Sequence, residues 1–200
     1  MEKFEAHARG LGLEIRFSDV LDIAVDKGVK VIKTSDGEIR TKAVIVATGA
    51  KPKRLGVPGE KELTGKGVSY CATCDGPFFR NLKVVVVGGG DTAVKEAVYL
   101  SKLAAKVYIV HRRDKFRAEK MHQEKMEAAA NIEMVTSHVL KEIKAEGNLV
   151  KSVLLEDLKS GAAREIEAEG VFIFVGINPT TDFVDVDKDN GGFIKTGPDM

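Results

Sequence analysis

The feature that most constrains the fold is an apolar strand followed by a glycine turn, a helix and a second strand. The strand covers Val84–Val87, the glycines follow at 88–90, and an amphipathic helix is expected over about 92–103. Continuous β-branched runs of this kind are typical of parallel sheets that are buried on both faces. A further strand over 106–110 completes a βαβ unit of roughly the ~30 residues that such units need. The pattern predicts an α/β, Rossmann-like fold.

The glycine turn matches the dinucleotide-binding pattern Gly-x-Gly-x-x-Ala. Gly88 permits the tight turn, Gly90 lets the backbone approach a pyrophosphate, and Ala93 allows close packing of helix on strand. At Asp91 and Thr92 the helix begins, and its free N–H groups and partial positive charge favour phosphate. The alternative is a tight strand–helix turn that binds nothing. The complete strand–turn–helix–strand context favours the dinucleotide site.

The residues after the second strand indicate which dinucleotide binds. NAD sites place an acidic residue there, ~20 residues beyond the glycines, to bind the ribose 2′-hydroxyl. This chain instead has His111, Arg112 and Arg113, with Arg117 close behind. Guanidinium groups at this place can bind a 2′-phosphate through charge-assisted hydrogen bonds. A solvated basic turn is the alternative, but the position at the strand end favours NADPH over NADH.

Both cysteines lie in one Cys-x-x-Cys motif, Cys71 and Cys74, followed by Asp75. A zinc site needs four ligands, and there is no second cysteine pair to supply them, so we expect no metal. A structural disulfide across so short a loop would stabilise the chain little. A redox dithiol needs two adjacent sulfurs, an activated thiolate and a proton donor, which Asp75 could provide. Redox chemistry is favoured, most of all beside an NADPH site, although passing hydride electrons to a disulfide normally requires a flavin.

The rest of the chain is expected to form further strands. We expect strands over 13–17, 20–25, 29–32 and 43–47, then a linker over 51–59. Beyond the βαβ unit we expect a helix over 118–130 and strands over 131–135 and 171–175. The alternating stretch 139–169 is expected to be an antiparallel meander on the edge of the parallel sheet. In the helix after the glycines, Lys95, Glu96 and Lys102 are expected on the outer side.

Composition excludes several classes of protein. Lys and Arg number 31 and Asp and Glu 30, a formal net charge of +1, which suggests neither a nucleic-acid nor a membrane partner. No stretch approaches the ~20 apolar residues that span a bilayer, and the first residues lack the apolar region of a signal peptide. Two cysteines are too few for a secreted disulfide scaffold. We expect a cytoplasmic protein.

The chain resembles the low-molecular-weight thioredoxin reductases, flavoproteins in which an NADPH domain interrupts an FAD domain. The resemblance rests on segments in the same order over nearly the whole chain: Ala47–Ala50, Cys71–Gly76, Gly88–Val94, His111–Ala118 and Gly176–Thr181. It implies a partial FAD-binding domain over residues 1–54, an NADPH-binding domain with the Cys-x-x-Cys over 55–179, and the start of the returning FAD segment over 180–200.

The resemblance also implies a role for each site residue. Cys74 would receive electrons from reduced FAD, and Cys71 would attack the disulfide of thioredoxin, while Asp75 handles the proton. Thr48 and Gly49 would contact FAD. Thioredoxin or a similar protein is the implied partner, and a homodimer the implied assembly. In the family the NADPH domain rotates about two linkers, which here would lie near 51–56 and 176–181.

The chain departs from the family at its ends. The family begins with a glycine-rich FAD-binding βαβ unit and ends with a Gly-Asp flavin motif, and neither occurs in these 200 residues. We therefore expect a fragment of an NADPH-dependent thioredoxin-disulfide reductase. Two alternatives stay open: a related flavin-dependent reductase with another disulfide acceptor, and a non-catalytic NADPH-binding module with a redox-sensing dithiol.

Overall fold

The computed structural model describes residues 2–198, which form two compact units. One unit contains the described residues up to Lys51 and those from Asn178 onward, and the other is Pro52–Ile177. The boundaries expected from the sequence, after residues 54 and 179, lie a few residues beyond the boundaries in the structure, which follow Lys51 and Ile177. The assignment of the units to FAD and NADPH remains a prediction.

The first unit contains a helix and a small antiparallel sheet. Its elements are α1 (Glu2–Gly10), β1 (Val20–Asp26), β2 (Val29–Thr34) and β3 (Gly37–Thr41), and the strands pair in chain order. The hairpin between β1 and β2 turns at Lys27 and Gly28, whose φ angles are +50° and +83°. Two successive positive φ angles match the twist of the flanking strands, which is why such turns join hairpins so often.

Two strands expected in the first unit do not form, and one helix was not expected. Residues 13–17 and 43–47 belong to no helix or strand, whereas Glu2–Gly10 is helical and has a Glu5–Arg9 ion pair of 2.9 Å one turn apart. A β-branched run becomes a strand only when a neighbouring backbone accepts its hydrogen bonds. Within the described residues the 43–47 run has no such neighbour, and the side chain of Ile45 is 93% exposed.

The second unit is built on a five-stranded parallel sheet, as the βαβ pattern predicts. Its strand order is β5-β12-β6-β7-β8. These strands are β5 (Val68–Ser69), β6 (Lys83–Gly88), β7 (Lys106–His111), β8 (Ile132–Thr136) and β12 (Gly170–Phe174). Helices α2 (Ala72–Asp75), α3 (Asp91–Ser101) and α4 (Lys120–Glu127) complete this part of the chain. Helix α4 is shorter at both ends than the expected 118–130.

The antiparallel meander forms a separate sheet and does not extend the edge of the parallel one. Strands β9 (His138–Glu146), β10 (Leu149–Asp157) and β11 (Ala163–Glu167) pair in the order β11-β10-β9. The alternating sequence gives this sheet one apolar face, which has to be covered by another layer. Val153 and Leu155 of β10 belong to one buried cluster with Val85 of the parallel sheet. The expectation of an edge position was therefore wrong, because the meander packs face to face.

The side chains of strand β6 pack alternately into two hydrophobic clusters, one on each face of the parallel sheet. Val84 and Val86 pack in the cluster that contains helix α3, while Val85 and Val87 pack toward the antiparallel sheet. Successive side chains of a strand point to opposite faces, so a strand between two layers needs apolar residues at every position. The second unit thus has three layers, and the predicted α/β fold class with a parallel sheet and an antiparallel meander is confirmed.

Two short strands lie where the chain passes between the units. They are β4 (Ala50–Pro52) and β13 (Ile177–Pro179), and they form a two-stranded sheet. Among the helices of residues 2–198, none is both long and apolar enough to cross a membrane.

Candidate functional site

The glycine turn joins β6 to α3 in a conformation that needs its first glycine. Gly88 has a φ of +153°, and a Cβ built on it would lie 2.4 Å from the carbonyl oxygen of Phe174 and 2.6 Å from the Cβ of Ala93. Gly90 is the N-cap of α3 and has a φ of −96°, with no atom within 4 Å of a Cβ built there. Gly88 thus serves close packing, whereas Gly90 borders open space in front of the helix N-terminus.

These two glycines give a matched pair of substitutions. Gly88→Ala is expected to destabilise the chain by about 3 kcal/mol, because alanine combines a disfavoured φ with backbone overlap. Gly90→Ala is expected to change stability by less than about 1 kcal/mol and to weaken NADP⁺ binding about tenfold, since a Cβ there would obstruct a pyrophosphate. Denaturant unfolding and titration calorimetry measure the two effects. Equal stability losses for both variants would contradict these different roles.

His111 packs against the glycine turn from the end of β7. Its side chain is 6% exposed, and its ring stacks on that of Phe116 with centroids 5.3 Å apart. A Cβ on Gly89 would lie 2.2 Å from the imidazole, and the Arg117 N–H donates to the Gly89 carbonyl at 2.7 Å. The glycine turn and the basic loop, which we define as residues 112–117, are therefore in direct contact.

The environment of His111 favours its neutral form. Burial, followed by the charges of Arg117, Arg113 and Arg112, lowers the pKa of His111 below its ordinary value. Its Nε2 atom is buried and has no hydrogen-bond partner among the described residues. His111 was grouped with the arginines in the sequence analysis, but a neutral buried ring holds a phosphate less well than a guanidinium does. The position of His111 instead suits packing between the glycine turn and the basic loop.

The lowered pKa of His111 predicts a pH dependence of stability. Because the unfolded chain binds a proton more readily, protonation favours unfolding as the pH falls below the ordinary value of 6.5. The contribution of His111 is fully present above that value and is lost toward the lower pKa of the folded state. Thermal midpoints between about pH 5 and 7 should rise with pH. A His111→Gln variant should have a shallower slope, and an unchanged slope would contradict this role.

The arginines of the basic loop are exposed and pair with no acidic side chain of the described residues. Among residues 2–198, no carboxylate lies within 4.0 Å of a guanidinium nitrogen of Arg112, Arg113 or Arg117. Clustered cations without counter-ions raise the local positive potential and attract anions. Their position beside the glycine turn therefore favours an anionic ligand there.

The two cysteines are joined in a disulfide at the start of helix α2. Cys71 is the N-cap residue of this helix, and its Sγ accepts a hydrogen bond from the Cys74 N–H at 3.2 Å. The Asp75 carboxylate accepts one from the Ser69 hydroxyl at 2.6 Å, and the Ser69 Oγ in turn accepts from the Cys71 N–H at 3.0 Å. Asp75 is therefore connected to Cys71 through a single serine.

One cleft of about 770 Å³ in the second unit brings most of these residues together. Cys71 lies in its wall, as do the whole turn Gly88–Ala93, His111, Arg112 and Arg117. Other predicted site residues are outside the wall. These are Cys74, Asp75 and Arg113 in the second unit, and Thr48 and Gly49 in the first.

Two residues of the cleft were missed by the sequence analysis. Glu96, which was expected on the outer side of α3, lines the cleft, and its Oε2 is buried without a hydrogen-bond partner among the described residues. Burial raises its pKa above the ordinary value. Tyr70, just before Cys71, also lines the cleft. An amphipathic pattern assigns Glu96 to the helix surface and gives no sign that this part of the surface is concave.

Tyr70 is held by a buried carboxylate that directly follows the segment expected to be a linker, residues 51–59. Glu60 is 2% exposed and accepts hydrogen bonds from the Tyr70 hydroxyl at 2.8 Å and from the N–H groups of Leu55 and Gly56 at 3.0 and 2.7 Å. A carboxylate can be buried when several donors replace its water. Burial and the Glu60 carboxylate raise the pKa of Tyr70, in that order. This contact connects the segment at residues 55–60 to the wall of the cleft.

In the first unit, Thr48 and Gly49 form a turn that is tied to Thr180. The Thr48 hydroxyl donates to the Thr180 carbonyl at 2.5 Å, and the Thr180 N–H donates to the Gly49 carbonyl at 3.0 Å. Gly49 has a φ of +68°, a conformation that favours glycine. The turn is well defined by its own contacts, and its role toward a flavin remains a prediction.

Comparison with known proteins identifies relatives along the whole chain. Residues 5–200 match the family model of the pyridine nucleotide-disulphide oxidoreductases. The thioredoxin reductase of Peptoclostridium acidaminophilum is 44% identical over 100% of this chain and 66% of its own length. That of Bacillus subtilis is 45% identical over 88% of this chain and 56% of its own length. The chain thus spans two thirds or less of these relatives.

A solved structure agrees with the sequence comparison. Thioredoxin reductase of Lactococcus lactis superimposes with a TM-score of 0.85 and 40% identity, over 99% of this chain and 66% of that one. The fold, the order of the motifs and the family match therefore lead to one conclusion. The chain belongs to the pyridine nucleotide-disulphide oxidoreductase family.

Proposed function

We propose that this chain acts in the NADPH-dependent reduction of thioredoxin disulfide, an oxidoreductase reaction at a sulfur group that uses FAD. The observation that carries the proposal is one cleft lined by Cys71, the glycine turn, and Arg112 and Arg117 of the basic loop. A dinucleotide site and a redox-active dithiol that line the same cleft are arranged as electron transfer from the dinucleotide to the dithiol requires. Relatives at 44% and 45% identity are named thioredoxin reductases.

The residues of the cleft fit NADPH in two respects. Space in front of Gly90 and the N-terminus of α3 suit a pyrophosphate, since free N–H groups meet its oxygens there. Arg112 and Arg117 of the wall, with Arg113 in the same loop, suit the 2′-phosphate because no carboxylate among the described residues pairs with them. His111 contributes to the wall between the glycine turn and the arginines, and its ring packs against Gly89.

The fit to FAD involves fewer residues. In the first unit, Thr48 and Gly49 are the residues that we propose to contact the flavin. When bound, a flavin accepts a hydride from a nicotinamide and passes the two electrons to a disulfide. The residues described in this unit supply one turn of such a site. The FAD requirement therefore rests on the family relationship together with the need for a two-electron carrier.

The reduced cysteines would transfer their electrons to thioredoxin by thiol–disulfide exchange. When the cysteines are reduced, the Cys71 thiolate attacks a sulfur of the thioredoxin disulfide, whose S–S bond breaks as a mixed disulfide forms. The Cys74 thiolate then attacks the Cys71 sulfur, which restores the Cys71–Cys74 disulfide and releases thioredoxin with two thiols. The Cys74 N–H stabilises the Cys71 thiolate. We propose that Asp75 handles the proton of this exchange, and its carboxylate is oriented by a hydrogen bond from the Ser69 hydroxyl.

We infer that thioredoxin is the acceptor from the names of the relatives. A homodimer and a cytoplasmic location also remain predictions. The lack of nucleic-acid and membrane partners remains an expectation from charge and composition.

A visible absorption experiment tests the proposed function. The chain is mixed with FAD, free flavin is removed, and spectra are recorded anaerobically before and after NADPH and then after oxidised thioredoxin. Flavin absorption should bleach with NADPH and return with thioredoxin. A colourless chain that still binds NADPH would contradict FAD-dependent reduction by this chain and favour an NADPH-binding module with a redox-sensing dithiol.

A further inference from the structure

Asp114 is an acidic residue inside the basic loop, between Arg113 and Lys115. A carboxylate at this place could pair with a neighbouring arginine and cancel part of the charge that a phosphate requires. The structure shows a different pairing. The Asp114 carboxylate accepts a hydrogen bond from the Ser137 hydroxyl and lies 3.0 Å from the ammonium nitrogen of Lys159. The acid of the loop is thus paired outside the loop.

Ser137 connects the basic loop to the antiparallel sheet through three of its atoms. Besides its hydroxyl, its N–H donates to the Arg113 carbonyl at 3.2 Å, and its own carbonyl accepts from the Leu158 N–H at 2.8 Å. Ser137 is buried and has a φ of +57°. Non-glycine residues rarely adopt this conformation, which persists only where the surrounding contacts support it. The contacts of Ser137 therefore fix the position of Asp114.

Lys159 comes from the turn between β10 and β11, which does not line the cleft. Asp157 shapes this turn, because its carboxylate accepts from the Lys159 N–H and the Ser160 hydroxyl, both at 2.8 Å. The same two contacts lower the pKa of Asp157. The turn is therefore a defined structure, and it presents the Lys159 side chain to Asp114.

We propose that Lys159, acting through Asp114, is a positioning residue that determines specificity for a dinucleotide with a 2′-phosphate. This inference rests on the proposed NADPH site. Lys159 neutralises the Asp114 carboxylate, and the guanidinium groups of Arg112 and Arg113 thereby keep their charge for a phosphate dianion. Without Lys159, the Asp114 carboxylate stays at Ser137 with its charge uncompensated, and this negative charge lowers the positive potential at Arg112 and Arg113. A dinucleotide without the 2′-phosphate does not depend on these groups.

A double-mutant cycle on the full chain tests the inference. Dissociation constants of NADP⁺ and NAD⁺ are measured by titration calorimetry for the wild-type chain, Lys159→Gln, Asp114→Asn and the double variant. Asparagine keeps an oxygen that accepts from the Ser137 hydroxyl but has no charge. Lys159→Gln is expected to weaken NADP⁺ about fivefold, near the upper end for an exposed ion pair, and to leave NAD⁺ unchanged. With asparagine at position 114, the same lysine substitution should have no effect.

Lys141→Gln is the matched control. Lys141 pairs with Glu156 at 3.0 Å on the same antiparallel sheet and is 53% exposed, compared with 66% for Lys159. Its replacement should change neither dissociation constant. Additive effects in the double variant would overturn the inference, because Lys159 would then act only through its own charge. Equal weakening of NADP⁺ and NAD⁺ would overturn it as well, since the role would be structural.

The wild-type chain separates this inference from the function on which it rests. If it binds NADP⁺ no more tightly than NAD⁺, the proposed NADPH site fails, and the role of Lys159 fails with it. If it prefers NADP⁺ and the two substitutions are additive, only the role of Lys159 is rejected.

Discussion

Replacing Cys71 with serine is expected to abolish disulfide reduction by the chain, while Cys74→Ser is expected to trap the acceptor in a mixed disulfide. Cys71 is the better candidate nucleophile, since its sulfur accepts the Cys74 N–H at 3.2 Å and such a contact stabilises a thiolate. Without Cys74 the chain has no second thiol to complete the exchange, so the mixed disulfide resolves only by the reverse attack of the thioredoxin thiol, which prompt alkylation prevents. For the measurement, the chain is reduced with dithiothreitol, freed of reductant and mixed with oxidised thioredoxin, and the products are separated by non-reducing electrophoresis.

The double variant Cys71→Ser/Cys74→Ser is the control and should neither reduce nor trap thioredoxin. The wild-type chain should convert a stoichiometric amount in one turnover without any flavin, because the dithiol holds both electrons. A mixed disulfide formed by Cys71→Ser would reverse the assignment. That outcome is a real alternative, as Cys74 is exposed whereas Cys71 is half-buried.

Replacing Arg112 and Arg113 together with glutamine is expected to weaken NADP⁺ about 100-fold and NAD⁺ much less. Hydrogen bonds to charged groups contribute about 1.5–3 kcal/mol each, so the loss of two corresponds to at least that factor. NAD⁺ lacks the 2′-phosphate and therefore makes no such bonds. Titration calorimetry of the wild-type chain and the double variant with NADP⁺ and with NAD⁺ measures how much each affinity falls.

Arg80→Gln controls for the loss of a positive charge, because Arg80 is an exposed arginine of the same unit that does not line the cleft. It should leave both affinities within about twofold of the wild-type values. Equal losses for NADP⁺ and NAD⁺ in the arginine variant would show that the basic loop does not bind the 2′-phosphate.

The elements predicted best are those whose sequence pattern is local and strong. Val84–Val87 and the glycine turn form β6 and the start of α3, and Lys106–Val110 forms most of β7. The short length of the run, its β-branched residues and the glycines that follow it together favour a buried strand over a buried helix. The turn Gly88–Ala93 and the basic loop are brought together because parallel strands end at the same edge of a sheet.

The elements predicted wrongly depend on distant partners. Residues 43–47 have a strand-like sequence, but in the described chain they have no neighbour with which to pair. The meander was recognised correctly as antiparallel, but alternation alone does not show whether a sheet joins an edge or covers a face. Only tertiary packing, seen in the cluster of Val85 with Val153 and Leu155, decides between these positions.

The sequence predicted the charged residues of the basic loop, but it did not predict the contacts of Glu96 and Glu60 at the cleft. Periodicity places Glu96 on the outer face of a helix and cannot reveal that this face borders a cleft. Glu60 directly follows a Pro- and Gly-containing segment, residues 51–59, that suggests an exposed linker, yet its carboxylate is buried against Tyr70. Hydrogen bonds of this kind join residues whose spacing in the sequence follows no repeating pattern.

The most direct test of electron transfer from NADPH to the dithiol is a count of free thiols. The chain with bound FAD is incubated anaerobically with NADPH, quenched with an alkylating reagent and examined by mass spectrometry. The proposed function predicts that Cys71 and Cys74 are both alkylated with NADPH and that neither is alkylated when NADPH is omitted. A disulfide that stays intact while the bound flavin is reduced by NADPH would contradict it.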